Sequence, residues 1–312
     1  MLNLFPYDAK FDFFGKRRYA YIISVILLLA SLASLATRGI NFGLDFTGGV
    51  VIEVGYPKAA NLDSIRALLK KNQFNEAVVQ YFGTSESVMI RLPPAKSENQ
   101  NQLADHVLAA LKTEEPGVQM RRVEYVGPAV GKELFNSGAL AMLTVLGGLL
   151  LFVSLRYQLK MAAGAVITLS HDLIMILGFL SITQIEFNLT VLAAYLALAG
   201  YSINDMIVVF DRMRENFRKM RKGTEIEIMN ASVNQTMSRT VMTALTTFLS
   251  VLALFVFGGE SLFGFSATLL VGIVLGTFSS IYVASSLALD MGLKRQDLLK
   301  LTDKERVIDT AP

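Results

Sequence analysis

The sequence has no cysteine, only two histidines (His106 and His171), and 18% charged residues, against about 25% in soluble domains. Without cysteine there is no disulfide framework, no thiolate nucleophile and no sulfur-ligated metal; the redox compartment stays open. Two histidines leave little with which to build a histidine-based metal centre. No nucleophile–base or metal constellation is visible, which argues against a membrane enzyme.

What the chain has instead is apolar length. Of its 312 residues 53% are hydrophobic, and the mean hydropathy is +0.46. Several runs exceed the roughly 18 residues that mark a spanning helix, so the sequence reads as a polytopic membrane protein. The net charge of +3 does not point to nucleic acid, because the basic residues sit in short clusters beside apolar runs.

Residues 1–18 mix Phe5, Phe11, Phe13 and Phe14 with Asp8, Lys10, Asp12, Lys16, Arg17 and Arg18. That composition suits a cytoplasmic segment lying in the membrane interface; a loose basic tail is the plainer reading. The uncharged stretch 19–37 is the first span. Ser34-Leu35-Ala36 resembles a signal cleavage site, but the run is longer than the 7–15 residues of a signal h-region.

Residues 38–137 change character: eleven basic residues balance eleven acidic ones, and no run is long enough to span. The pattern predicts strands over 43–56, 77–82, 87–92 and 118–126 and helices over 62–71 and 102–112. That order, βαββαβ, is the split ferredoxin-like arrangement. Five more spans follow, at about 138–155, 161–183, 187–210, 238–258 and 262–289, and 291–312 forms a tail. The fold class expected is a six-helix membrane bundle with a ferredoxin-like α+β domain between helices 1 and 2.

Charge in the short loops sets orientation. Arg156 and Lys160 lie between spans two and three; Arg212, Arg214, Arg218, Lys219, Arg221 and Lys222 lie between four and five; Lys294, Arg295, Lys300, Lys304 and Arg306 follow six. The loops at 184–186 and 258–260 have no Lys or Arg. The positive-inside rule puts both termini in the cytoplasm and residues 38–137 outside it. Gly147, Gly148, Gly164, Gly178, Gly200 and the Gly272/Gly276 pair allow close helix approach, hence a packed bundle.

In the fourth span, Asn204 and Asp205 are the strongly polar residues between Asn188 and Asp211. A carboxylate at that depth costs about 2.5–3.5 kcal/mol on insertion scales and marks a functional site by default. Arg239, at the start of span five, is the candidate counter-charge. A carboxylate that alternates between a desolvated and a cation-paired environment takes up and releases a proton; a static Asp205–Arg239 pair, or a snorkelling Arg239, is the plain alternative. Asn204, Ser202 and Ser238 are placed near that pair as hydrogen-bond or water-holding groups, or as helix–helix glue. His171 and Asp172, in span three, form a secondary polar pair with a structural or proton-relaying role.

Several stretches carry a family resemblance: GLDFTGG at 43–49, VGPAVGKEL at 126–134, His171-Asp172 in the third span and AGYSINDMIVVFDRMREN at 199–216. Together they resemble the SecF family, the smaller membrane subunits of SecD–SecF protein-export complexes, in the resistance-nodulation-division (RND) group of proton-driven machines. The match covers nearly the whole chain. It implies an RND-like bundle in the bacterial inner membrane, with SecD as obligate partner in a pseudo-twofold assembly and YajC and the SecYEG channel as further partners. It also implies preprotein substrate, membrane lipid and protons, and no cofactor, metal or nucleic acid. The role implied is late protein translocation driven by the proton motive force, with Asp205 and Arg239 in the coupling path.

In the same frame Gly43, Asp45, Gly48 and Gly49, with Gly127, Pro128 and Gly131, form a hinge or partner-docking element, or plain turns. Two other functions are carried alongside: an RND-type small-molecule export subunit, and a non-conducting scaffold that stabilises SecD.

Overall fold

The computed structural model describes residues 11–93, 100–220 and 222–299. Phe5, Asp8, Lys10, Arg221, Lys300, Lys304 and Arg306 lie outside them, as do the outer parts of the 1–18 and 291–312 segments. The chain divides into two compact units, residues 42–141 with 186–189, and the remainder.

The smaller unit begins with a single turn, α2 (Leu44–Thr47), following α1 (Arg17–Arg38) of the other unit. It continues as β1 (Gly49–Gly55), α3 (Leu62–Lys71), β2 (Val78–Phe82), β3 (Thr84–Leu92), α4 (Gln100–Glu114) and β4 (Gln119–Val126). All strand pairs are antiparallel, in the order β2-β3-β1-β4. Alternation puts Val50, Ile52 and Val54 beside Val88, Ile90 and Leu92, and this face packs with Ile65 and Leu69 of α3 and Val107 and Leu111 of α4. Asn61 starts α3 by accepting the amides of Asp63 and Ser64.

The strand expected from residue 43 begins only at Gly49. Leu44–Thr47 coils instead, with the Thr47 hydroxyl donating to Gly43 O at 3.1 Å, and Gly48 and Gly49 break the turn at φ +67° and +124°. An added Cβ on Gly49 would strike Leu92 O, so this position requires glycine.

The larger unit is helical. It contains α1, the second half of α5 (Pro128–Arg156), α6 (Leu159–Thr183), α7 (Leu189–Lys219) from its second residue, α8 (Glu225–Phe257), α9 (Glu260–Ser279), a π-helical turn at Ser280–Ala284, α10 (Ser285–Asp290) and α11 (Arg295–Leu299). Among the described residues six helical stretches are long and apolar enough to cross a membrane: α1, α5, α6, α7, α8 and the run from Glu260 to Asp290.

Two of these helices outrun their apolar windows. α7 continues to Lys219 because Glu215 pairs with Arg212 and Lys219 along the helix, both at 2.6 Å. α8 starts at Glu225, where Thr224 and Glu227 form a reciprocal capping box.

Glycines set the closest approaches. Gly178 leaves α6 room for Ser31 of α1, next to a Ser34–Ser181 hydroxyl bond of 2.8 Å. Gly272 receives Leu198 and Gly276 receives Ser202, which brings α9 against α7.

The N-terminal stretch is held by side chains of α8. Asn234 accepts the Phe11 amide and donates back to Phe11 O, and Asn230 accepts the Phe13 amide while donating to Asp12 Oδ1. Phe14 is 1% exposed. Two asparagines one turn apart on α8 thus bind the segment as a strap, and Arg17 and Tyr21 tie α1 to Asp290.

Candidate functional site

Two carboxylates lie inside the helical unit, and their surroundings differ. Asp172 of α6 is 2% exposed and saturated with donors. Ser202 of α7 and Ser279 of α9 each donate to Asp172 Oδ2 at 2.6 Å, and His171 Nδ1 lies 3.0 Å from Oδ1. These are short, charge-assisted contacts that join three membrane helices through one carboxylate. Ser279 precedes the π-helical turn, where Ser285 Oγ reaches back to Ser280 O. His171 Nε2 is buried without a hydrogen-bond partner.

Asp205 lies one turn beyond Ser202 on the buried face of α7. It too is 2% exposed, but its Oδ2 has no hydrogen-bond partner. Arg239 of α8 is the cation whose field reaches it. No ion pair within 4.0 Å joins the two, and Arg239 is exposed. The geometry therefore differs from a closed static pair. Thr240 Oγ1 on α8 is a further buried polar atom without a hydrogen-bond partner, and the Tyr201 hydroxyl of α7 lies beside Thr277 of α9.

The remaining expected residues fall in different places. Ser202 serves Asp172 rather than Asp205, because its side chain points toward α6 and α9 where Gly276 makes room. Asn204 is exposed on the opposite face of α7, in line with Ala193, Ala197 and Gly200. Ser238 is half-buried beside Arg239. Sequence reading missed Ser279, which shares its stretch with Thr277 and Ser280, and Thr240, which directly follows Arg239.

In the smaller unit, Asp45 Oδ2 accepts the Leu189 amide at 2.9 Å, which gives the first turn of α7 an acidic acceptor. Gly43 N donates to Phe187 O at 2.9 Å; a Cβ on Gly43 would press on Glu186 and Asn188. Arg91 pairs with Glu186 at 2.8 Å and donates to Phe42 O at 2.7 Å. Phe42, Phe46, Phe135 and Phe187 pack ring to ring, with centroids 5.8–6.2 Å apart. Pro128 opens α5, and Gly131 donates to Gly127 O while approaching Gly48 N. The glycines and Asp45 thus belong to one tightly packed junction at the start of α7.

Comparison with known proteins gives consistent results. The family described as "Protein export membrane protein SecD/SecF, C-terminal" matches residues 106–294, and the "SecD/SecF GG Motif" matches 33–59. The protein translocase subunit SecF of Vibrio alginolyticus is 48% identical over 96% of this chain and 95% of its own. Its counterpart in Pseudomonas aeruginosa is 46% identical over 96% of this chain and 97% of its own. The crystal structure of SecDF from Thermus thermophilus, a translocon-associated membrane protein, superposes with a TM-score of 0.83 at 35% identity. That alignment covers 92% of this chain and 39% of the SecDF chain, so the protein spans about two fifths of that longer polypeptide.

Proposed function

The chain belongs to the SecF branch of the SecD/SecF family of protein export membrane proteins, and on that premise we propose that it is a SecDF-type subunit that helps move preproteins across the bacterial inner membrane using the proton motive force. The observation that carries the proton-coupling step is Asp205: a carboxylate buried in a membrane helix, one oxygen unpartnered, with Arg239 near but not bound. A buried charge without a full set of partners is costly, so either a proton or closure onto Arg239 relieves it. Protonated, the carboxyl has no claim on Arg239; ionised, it attracts it. Alternating between these conditions couples proton passage to a relative movement of α7 and α8. One proton crossing 100 mV supplies about 2.3 kcal/mol, enough to shift a two-state equilibrium about fiftyfold when fully coupled.

In this reading Asp172 with His171, Ser202 and Ser279 is the fixed frame against which α7 is held. The βαββαβ unit is a ferredoxin-like extracytoplasmic domain, and both termini are cytoplasmic. Asn204, exposed with Ala193, Ala197 and Gly200 on one face of α7, supports SecD as the partner that covers it, since polar groups at membrane depth face protein or water. YajC, the SecYEG channel and the translocating chain complete the assembly. Gly43, Asp45, Gly48, Gly49, Gly127, Pro128 and Gly131 form a hinge or partner-docking element.

The test is export of a secreted reporter in cells carrying Asp205→Asn, with membrane levels of the chain and of SecD measured alongside. Export lost at normal levels is expected. Normal export would refute the coupling role of Asp205 and leave the chain as a scaffold for SecD.

A further inference from the structure

At one end of the helical unit, away from Asp205 and Asp172, a recess of about 410 Å³ is lined by Arg156, Asp211, Arg214, Glu215, Arg218 and Lys219. Four cations face two acids there, an excess of two positive charges. Tyr157, 6% exposed, is the platform on which the recess is built. Its hydroxyl donates to Asp211 Oδ1 at 3.0 Å and its ring takes the edge of Phe210 at 5.5 Å. Burial pushes its phenol up to about 12, so it stays neutral. The Arg156 and Arg214 guanidinia lie 5.6 and 5.7 Å from the centre of this ring.

Asp211 pairs with Arg156 at 2.6 Å and lies 3.9 Å from Arg214, which leaves most of the donors of that second fork uncommitted. Arg218 has no ion-pair partner among the described residues. Two guanidinia fixed over one ring, with Arg218 and Lys219 beside them, present the convergent donors that a phosphodiester accepts in pairs. Leu155 and Leu159, on either side of Tyr157 in the chain, are 80% and 85% exposed. Leu155 continues the uncovered apolar surface of α5, represented by Leu143 and Leu151.

We propose that this recess binds the phosphodiester headgroup of an anionic phospholipid, with the acyl chains running over Leu155 and Leu159. A free phosphate would use the same guanidinium donors but gain nothing from the two leucines. Basic pockets between membrane helices are suited to such headgroups. The proposal does not depend on proton coupling at Asp205.

Native mass spectrometry of the full chain in neutral detergent tests it, with cardiolipin as probe, phosphatidylcholine as the neutral lipid and inorganic phosphate as the free anion. Arg214→Gln with Arg218→Gln is expected to lower cardiolipin affinity about thirtyfold, roughly fivefold per cation removed. Lys16→Gln with Arg18→Gln removes the same charge outside the recess and is expected to leave affinity within about twofold. Leu155→Ser with Leu159→Ser should weaken cardiolipin and leave phosphate binding unchanged. Equal losses in the two charge-removal pairs would overturn the proposal, since only diffuse attraction would then be at work. Displacement of cardiolipin by inorganic phosphate, with no effect of the leucine changes, would also overturn it in favour of a free-anion site. Arg218→Gln alone, at an exposed position without an ion pair, gives the fivefold arm if the double variant does not fold.

Discussion

The donors on Asp172 can be removed one at a time. Ser279→Ala and Ser202→Ala each delete one 2.6 Å bond to the same carboxylate oxygen. Hydrogen bonds to charged groups contribute about 1.5–3 kcal/mol in soluble proteins. Bonds between membrane helices average about 0.6 and reach about 1.7 kcal/mol, because the separated helices find other partners. A fully buried carboxylate belongs at the upper end of that membrane range, so each single variant should lose about 1–2 kcal/mol. Removing both hydroxyls leaves His171 as the sole donor to a buried charge, and breaking such a site costs about 3–5 kcal/mol. The double variant should therefore exceed the sum of the singles. Asp172→Asn should be milder than Asp172→Ala, since both hydroxyls can turn to donate to or accept from the amide. Reversible unfolding by SDS in lipid–detergent micelles, run as a double-mutant cycle, measures all of this. Two singles below about 0.5 kcal/mol that simply add would refute the reasoning and mean that Asp172 is not the joint between α6, α7 and α9.

Asp45→Ala removes the acceptor from the Leu189 amide and should cost about 1 kcal/mol, with faster hydrogen exchange at the first turn of α7; Asp45→Asn should recover about half. Exchange unchanged in Asp45→Ala would refute the capping role. The Gly15 amide, and then the Asn230 side chain, hold the Asp12 carboxyl below its ordinary range. A carboxyl depressed in the folded state contributes stability that is present above its unfolded value, near 3.9, and lost as pH falls through the lower folded value. Protection of the Gly15 amide should thus persist at pH 5 and fade only as pH falls below the unfolded value, with the step absent in Asp12→Asn.

The chemistry of the spans was legible because it is carried by composition: apolar runs found six membrane-crossing stretches, and period-two alternation found four strands. What escaped was set by side-chain pairing across the chain. Glu215 with Arg212 and Lys219 carries α7 past the end of its apolar run, and the Thr224–Glu227 box starts α8 well before its own. Residues 43–47 alternate in polarity, yet the Thr47 bond to Gly43 O and the two positive-φ glycines that follow impose a turn. The contact of the N-terminal stretch with α8 was not legible either: Asn230 and Asn234, more than two hundred residues away, draw that segment onto α8. Asp172, Asp205 and Arg239 stood out as charges in apolar surroundings. Ser279 did not, since a hydroxyl in a membrane helix ordinarily satisfies itself on the preceding turn.

The contrast between the two buried carboxylates bears on mechanism more than either does alone. Asp172 and Asp205 have the same exposure in the same bundle, so desolvation does not distinguish them. Partners do. Asp172 accepts donors from three residues on three helices, and moving any one of those helices breaks a charge-assisted bond. Asp205 has an oxygen with no donor, and Arg239 stands outside bonding distance. A carboxylate held by that many donors resists change of position; one with an orphan oxygen can be relieved by a proton, a water or an approaching guanidinium. Ser202 and Asp205 are a turn apart on one helix, so the clamp on Asp172 fixes the rotation of α7 and hence where Asp205 points. Ser202→Ala should accordingly reduce export less than Asp205→Asn, through aim rather than chemistry, and Ser202→Thr, which keeps the hydroxyl, should restore most of it. Full export in Ser202→Ala, alongside lost export in Asp205→Asn, would separate the two carboxylates and end the argument that one positions the other.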